Sequence, residues 1–395
     1  MDLAPPQYLR DIVAYLRREE PKLWARFASQ GFEDERAATV RLDLLKATVR
    51  LDRATHGALY AAAEDVARRL GVAAPVTLYQ AGGEGANAAL FYLRDEVHIV
   101  LQGKIATALN ESEIRALFGH EIGHHRLFHQ DGGAYRIADQ LIASMAADPR
   151  AEASHQRTEH LYRMYVEAYA DRASLAVTES LAPVVTCLVK VQTGLHIASA
   201  SAYLAQADEI FSATEPTTNE ITHPETFIRV RALFLWERRD PGADDELRRM
   251  LQGRLAIDRL DLLGQCELGE LTRALLGRVF AEPWMRTEPL LGHARLYFPD
   301  FVPAALDSPV PSLNARLADA DSSVRDYVCF VLLDFAAADP TLEDAPLAHV
   351  LQLAEQMDLR DRLEELANRE LRITKKALAA LRQTGADLLA RAAAR

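Results

Sequence analysis

The chain has few cysteines, no excess of positive charge and no long uninterrupted apolar run. Its 395 residues include three cysteines, which lie far apart and form no CxxC pair: Cys187, Cys266 and Cys329. This pattern predicts reduced thiols in a cytoplasmic protein. A formal net charge of −12 argues against general nucleic-acid binding, because phosphate backbones require a basic surface.

The most apolar stretch begins at Ser174 and is interrupted by Glu179, Pro183 and Lys190. A transmembrane helix needs about twenty predominantly apolar residues, so we expect no membrane span here. The first residues also lack the apolar core of a signal peptide. They show instead the spacing of an amphipathic helix.

Composition and pattern predict an α+β protein that is mostly α-helical. We expect a helical segment over residues 1–50, a domain with a small β-sheet over 51–240, a helical and proline-rich connection over 241–312, and an all-α domain over 313–395. The sheet is predicted from three β-rich segments, which begin at Pro75, Asn87 and Glu96.

A short segment, Ala116–His129, holds four of the chain's twelve histidines. Asn110 precedes it as a candidate N-cap, and Glu113 follows three residues later, which is the capping-box pattern of a helix start. His120 and His124 are four residues apart, which is about 40° around a helix axis. Both imidazoles therefore project from one face and can reach one metal ion.

The residues between these histidines fit hydrolysis on zinc. Zinc with three protein ligands keeps an open position for water and lowers the pKa of that water to about neutrality. Glu121 is placed to take the proton of the water and to pass it to a departing amine. We expect Gly123 to leave room beside the ion. The predicted reaction is the hydrolysis of a peptide bond.

A third ligand is expected on a later helix. The segment beginning at Arg163 places Glu167 and Asp171 four residues apart, hence on one face. The alternative is a solvated acidic face with Arg172 as partner. A third histidine of the metzincin type is excluded, because the positions where its glycine and histidine would fall hold Leu127 and Gln130.

The segments "HEIGHHRLFH" and "EAYAD" resemble the gluzincin metallopeptidases of the HtpX, Oma and CAAX-prenyl-endopeptidase kind. The resemblance extends over about residues 51–236, including "THPETFIRVRAL" from Thr222, and His129 falls on a further histidine that is frequent in that family. The resemblance implies that His120, His124 and Glu167 are the zinc ligands and that Glu121 is the general base. It also implies that Asp171 orients a ligand, and that His223 and Arg229 approach the site from the late segment.

Membrane members of that family border the site with transmembrane helices, and none is expected here. We therefore expect a polypeptide substrate, bound in extended form along an edge strand that contains Val97, Ile99 and Leu101. We expect His125 to lie on the helix surface. For His129 we favour a role in packing, or in supporting a metal ligand, over metal binding itself.

The residues from Ser322 alternate an apolar helix, an acidic turn around Asp339 to Asp344 and a second apolar helix. This pattern resembles the TerB-like helical domain of tellurite-resistance proteins. It implies a module that binds a regulatory protein partner. The acidic turn lacks the spacing of an EF-hand, which favours a solvated turn with helix caps.

Two functions remain open on the sequence. The first is a zinc endopeptidase, held latent until a partner or a stress opens the groove. The second is a non-catalytic adaptor in which zinc is structural. Glu121 favours the endopeptidase, because a structural site has no use for a carboxylate beside an open position. An aminopeptidase is disfavoured, since no GxMEN-like segment precedes the zinc helix.

Overall fold

The computed structural model describes residues 3–83, 85–218, 220, 223–303 and 310–394. Thr222 of the late motif and Pro309 of the predicted connection lie outside the described residues. The chain divides into two compact units, Met1–Gly253 and Arg254–Arg395. In the described residues, no helix combines the length and the apolar character that crossing a bilayer requires.

The first unit is mostly helical and contains one small sheet. Its helices are α1 (Gln7–Glu19), α2 (Pro21–Phe27), α3 (Gln30–Ala47), α4 (Gly57–Arg69), α5 (Ile105–Ala108), α6 (Glu111–His129), α7 (Ala134–Ala146), α8 (Ala153–Thr178), α9 (Leu181–Thr193), α10 (Ala200–Ala213), α11 (Thr226–Glu237) and α12 (Ala243–Gln252). Its strands are β1 (Val49–Arg50), β2 (Val76–Ala81), β3 (Ala86–Leu93) and β4 (Glu96–Gly103). The α+β class and the three longer strands predicted from the sequence are thus confirmed.

The strand order in the sheet is β1-β2-β4-β3. Strand β4 pairs in parallel with β2, with Val76 opposite Val97, and antiparallel with β3, with Leu90 opposite Ile99. Because both of its edges are occupied, β4 cannot accept another strand. The expected edge strand at Val97 to Leu101 is therefore wrong: β4 is central and buried, and β3 is the edge.

The second unit is all helical and has one continuous apolar core. Its helices are α13 (Leu262–Val279), α14 (Glu288–Tyr297), α15 (Val310–Asp319), α16 (Ser322–Ala337), α17 (Ala345–Gln356), α18 (Arg360–Glu370) and α19 (Lys375–Ala393). Met285, Leu290 and Phe301, from the proline-rich stretch, pack in the same cluster as Leu332 and Leu363. The compact units accordingly divide after Gly253, whereas the sequence placed domain limits at 240 and 312.

Candidate metal centre

The helix that carries both histidines begins with the predicted cap. The Asn110 side chain accepts a hydrogen bond from the Glu113 backbone N–H at 3.0 Å, and Glu113 Oε2 accepts one from the Asn110 N–H at 2.8 Å. Lys190 of α9 adds an ion pair of 2.7 Å to the buried Glu113 carboxylate. The capping box is confirmed, and it fixes where α6 begins and thus which residues face the site.

Close packing of α6 against α8 sets the distance between the two halves of the site. A Cβ added at Gly119 would lie 2.7 Å from the Ser174 Cα, and one added at Gly123 would lie 2.6 Å from the Ala173 Cβ. Both glycines therefore face the neighbouring helix. The expectation that Gly123 leaves room beside an ion is wrong, since the space at Gly123 is filled by α8.

Three side chains from these two helices converge on one point. His120 Nε2 lies 3.2 Å from His124 Nε2 and 3.3 Å from Glu167 Oε2, and His124 Nε2 lies 3.5 Å from Glu167 Oε1. Zinc–nitrogen and zinc–oxygen bonds of about 2.0–2.1 Å at tetrahedral angles place neighbouring ligand atoms about 3.3 Å apart. The three donors therefore have the spacing that a tetrahedral zinc ion requires.

The hydrogen bonds around the donors also fit a cation. Asp171 Oδ1 lies 3.0 Å from His120 Nδ1, so Nδ1 carries the proton and donates it, which leaves Nε2 with a free lone pair. That lone pair faces His124 Nε2. Glu167 Oε2 is buried without a hydrogen-bond partner among the described residues. A metal ion satisfies all three atoms, since each offers a lone pair and none needs a proton.

Electrostatics reinforce the fit. Burial opposes protonation of His120, but the negative charges of Asp171 and Glu167 raise its pKa to about 10, so a bound metal ion would take the place of a proton on Nε2. Burial lowers the pKa of His124 to about 4. Against burial, which acts in the opposite direction, His124 and His120 hold the pKa of Glu167 far below its usual range. Glu121, Glu167 and Asp171 thus place three carboxylates near the guanidinium of Arg229. When all are ionised, two negative charges remain for a divalent cation to balance.

Glu121 lies beside the ligands without joining them. Its carboxyl is buried, and burial raises its pKa to about 6, while a backbone hydrogen bond from Leu90 of β3 acts in the opposite direction. A carboxylate whose pKa approaches neutrality accepts and returns protons efficiently near neutral pH. This arrangement provides a base next to the position where a metal ion fits.

Arg229 of α11 reaches the site through Asp171. Its Nε and Nη2 donate to Oδ2 and Oδ1 of Asp171 at 2.7 and 2.6 Å. Burial raises the pKa of the Asp171 carboxyl, but the Arg229 guanidinium outweighs it and holds that pKa below its usual value. The pair fixes the carboxylate that in turn orients His120.

His223 lies at the rim of the site. Its Nε2 is 3.6 Å from Glu167 Oε2, and half of its side chain is exposed. Burial of the remainder lowers the pKa of His223, which favours the neutral imidazole near neutral pH. The late motif thus brings the half-exposed imidazole of His223 and the buried guanidinium of Arg229 close to Glu167.

The other histidines of α6 do not join the cluster. His125 is buried, contrary to the expectation of a surface position, and its Nε2 lies 3.1 Å from the Leu93 carbonyl oxygen. Its ring stacks on His129 at a centroid distance of 5.9 Å and contacts Tyr92 at 5.1 Å. His125 therefore ties α6 to β3, a role that the sequence did not reveal because the sheet contact is long-range.

The ligands open into a cleft of about 850 Å³. One wall is the edge strand β3, from Asn87 to Tyr92, and other walls come from α6, α7, α8, α9 and α11. Arg136 and Arg163 also line this cleft, and sequence reasoning missed both. Arg136 comes from α7 and Arg163 from α8.

Comparison with known proteins agrees with this geometry. Residues 54–237 match Peptidase family M48. No curated protein and no solved structure matches the chain significantly. The matched segment contains every residue of the cluster described above. Residues 54–237 are therefore a domain of peptidase family M48, a metallopeptidase family, and the domain contains an intact His-His-Glu candidate site.

Proposed function

We propose that the protein is a zinc-dependent endopeptidase of the cytoplasm that hydrolyses peptide bonds in polypeptides. His120, His124 and Glu167 would hold one zinc ion per chain, and Glu121 would act as general base. The observation that carries the proposal is the buried carboxyl of Glu121 beside the ligand cluster, in a cleft bordered by an edge strand. A structural zinc site needs neither the carboxylate nor the cleft.

The chain's own residues account for most of the reaction. Zinc, when bound, supplies a Lewis acid that polarises the scissile carbonyl and lowers the pKa of a water molecule. Glu121 takes a proton from the attacking water and delivers it to the departing amine. Asp171, held by Arg229, keeps the proton on His120 Nδ1 and thereby keeps Nε2 free. His223 is placed to donate a hydrogen bond to the developing oxyanion.

The substrate would bind along β3. One edge of this strand pairs with β4, and the residues from Asn87 to Tyr92 line the cleft. An extended peptide adds to such an edge through backbone hydrogen bonds that read little sequence. The Leu90 backbone contacts Glu121, so the scissile bond would lie near the middle of the strand.

The second unit would bind a regulatory partner. Its helices α16 and α17 flank the acidic turn around Asp339 to Asp344. Asp339 in that turn accepts hydrogen bonds from Thr341 and Thr287, which supports a capping role and leaves no need for a cation. A groove of about 480 Å³ with the exposed side chains of Leu296 and Phe330 supports partner binding.

The test pairs metal content with cleavage. Purified wild type, Glu121→Gln and Glu111→Gln would be compared for bound zinc and for proteolysis of casein. Glu111 is an exposed glutamate on the same helix and serves as the matched control. We expect about one zinc per chain in all three proteins and cleavage by all except Glu121→Gln, whose rate falls about 100-fold to 10,000-fold.

Other outcomes separate the alternatives. Zinc without cleavage in wild type would support latency or the non-catalytic adaptor. A shortened chain ending at Gly253, checked for folding, would then distinguish them, because a latent enzyme gains activity when its regulatory unit is removed. A purified wild-type protein that contains and binds no zinc would overturn the proposal.

A further inference from the structure

The cleft has two chemically different ends, and the helix packing defines them. Gly119 of α6 lies against Ser174 of α8, and Gly123 lies against Ala170, so the two helices run antiparallel. The carboxy-terminal end of α6 therefore lies beside Arg163, the first residue of α8 that lines the cleft. Strand β3 ends at the same place, since Tyr92 Oη donates to the Phe128 carbonyl oxygen at 3.3 Å.

This end of the cleft carries a fixed guanidinium. Arg136 of α7 lies 5.3 Å from the Phe128 ring centre and 5.7 Å from that of Tyr92. Asp139 pairs with it at 2.5 Å, and only 12% of the Arg136 side chain is exposed. A cation held between two rings and one carboxylate has little freedom to move. Arg136 thus fixes the shape and charge of this wall.

A second guanidinium at the same end is accessible. Arg163 precedes the ligand Glu167 by four residues, so the two side chains share one face of α8, one turn apart. Arg163 lines the cleft with 49% of its side chain exposed, and it pairs with Glu159 at 2.6 Å. A solvent-accessible ion pair at this spacing is weak. Its guanidinium can therefore exchange Glu159 for another carboxylate.

The opposite end is apolar. Leu117 of α6 and Val184, Leu188 and Val191 of α9 line it, together with the thiol of Cys187. Burial raises the pKa of Cys187 to about 12, so the thiol is uncharged at neutral pH. A charged substrate side chain would lose hydration against these apolar side chains.

We propose that Arg163, beside Arg136, selects an acidic substrate side chain on the amino-terminal side of the scissile bond. The direction follows from strand pairing. A peptide antiparallel to β3 runs from the Tyr92 end towards the Ala88 end, and antiparallel pairs are slightly the more stable. Residues beside Arg163 therefore precede the scissile bond. The inference rests on the proposed peptide-binding function and names the class of substrate.

The test measures binding, so it does not depend on turnover. The full-length Glu121→Gln protein, loaded with zinc, would be titrated with fluorescent extended peptides that have one central leucine. One peptide carries a glutamate before the leucine, a second carries it after, and a third has glutamine in place of glutamate. We expect the first to bind about fivefold more tightly than the third, and the second to show no gain.

Variants then assign the effect. In the Glu121→Gln background, Arg163→Gln should remove the preference and Arg163→Glu should reverse it towards a lysine peptide. Arg150→Gln is the matched control, since Arg150 pairs with Asp148 on the exposed surface and does not line the cleft; it should keep the preference. Equal affinity for glutamate and glutamine peptides, a gain with the glutamate after the leucine, or a preference unchanged in Arg163→Glu would overturn the inference.

Cleavage distinguishes this inference from the proposed function. If the acidic preference is present in binding but neither wild type nor the folded chain shortened at Gly253 cleaves any of the peptides, the subsite stands and the endopeptidase proposal fails. If wild type cleaves all of them equally and binding shows no preference, the endopeptidase proposal stands and the inference fails.

Discussion

The two units use buried polar groups in different ways. In the first unit, the buried carboxylates of Glu167 and Asp171 face imidazoles and a guanidinium from other helices. In the second unit, the buried carboxylates of Asp261 and Asp339 accept hydrogen bonds from nearby backbone N–H groups, as helix and turn caps do. The former arrangement concentrates charge at one point, whereas the latter only ends helices and turns.

Helical glycines show the same contrast. Gly119 and Gly123 in α6 are closely approached by α8, whereas Gly269 and Gly277 in α13 have no side chain or neighbouring backbone within 4 Å of an added Cβ. The first unit thus uses glycine to bring charged side chains together. The second unit gains its stability from ordinary aliphatic packing, and the difference indicates where chemistry and where stability are concentrated.

The largest effect is expected from a substitution in the apolar core of the second unit. Leu332 is fully buried, so Leu332→Ala should lower the free energy of unfolding by about 2–5 kcal/mol. Urea unfolding would measure this loss. Leu296→Ala is the control, because 79% of that side chain is exposed, and it should change stability by less than about 0.5 kcal/mol. Equal losses would contradict the assigned core.

The next prediction concerns the packing of α6 against α8 in the first unit. In Gly123→Ala the new methyl group would meet the Ala173 Cβ at 2.6 Å, so α8 must shift. We expect a loss of about 1–3 kcal/mol in stability and weaker zinc binding. Gly277→Ala should instead stabilise its helix by about 0.5–1 kcal/mol. Thermal unfolding with a zinc titration would check both, and a harmless Gly123→Ala would refute the packing argument.

A smaller effect is expected when the orienting carboxylate is changed. Asp171→Asn places an amide against the Arg229 guanidinium and weakens the hold on His120. Zinc affinity should fall about 10-fold to 100-fold, as measured by competition with a chelator. Asp148→Asn, at an exposed surface pair, should leave the affinity unchanged. Unaltered affinity in Asp171→Asn would remove Asp171 from the site.

The smallest effect concerns a buried histidine of the second unit. Burial lowers the pKa of His349, which lies 3.1 Å from the Val279 carbonyl oxygen. The contribution of the neutral His349 imidazole to folding stability is complete above the unfolded pKa of about 6.5. It is lost as the pH falls below that value, and the free energy of unfolding then falls by at most about 1.4 kcal/mol per pH unit. His349→Gln should flatten the slope, measured by unfolding between pH 7 and 5. The exposed His196→Gln should not.

Local signals in the sequence were sufficient for much of the site. The capping box at Asn110 and Glu113 defines the start of α6, and the four-residue spacing of His120 and His124 defines their common face. The strands that begin near Pro75, Asn87 and Glu96 were likewise predicted from composition and turn residues. These features depend on neighbours within one or two turns of the chain, so a sequence pattern contains them.

Contacts between distant segments were not predictable in the same way. The sequence pattern predicted an exposed edge for β4, yet β2 and β3 occupy both of its sides. It also left His125 on the surface, yet that ring is buried against Leu93. Strand order and helix approach are decided by which apolar faces meet, and many arrangements satisfy one pattern of residues.

By itself, the sequence determined the chemical inventory: two histidines and a glutamate at helical spacing, followed by two acids on a later helix. Only the tertiary structure decided that Glu167 comes within 3.3 Å of His120, that β3 borders the cleft, and that Arg136 and Arg163 both line it. The physical reason is the distance along the chain over which the interactions act. Helix periodicity acts over a few residues, whereas the metal centre depends on two glycines that let helices some fifty residues apart in sequence pack in direct contact.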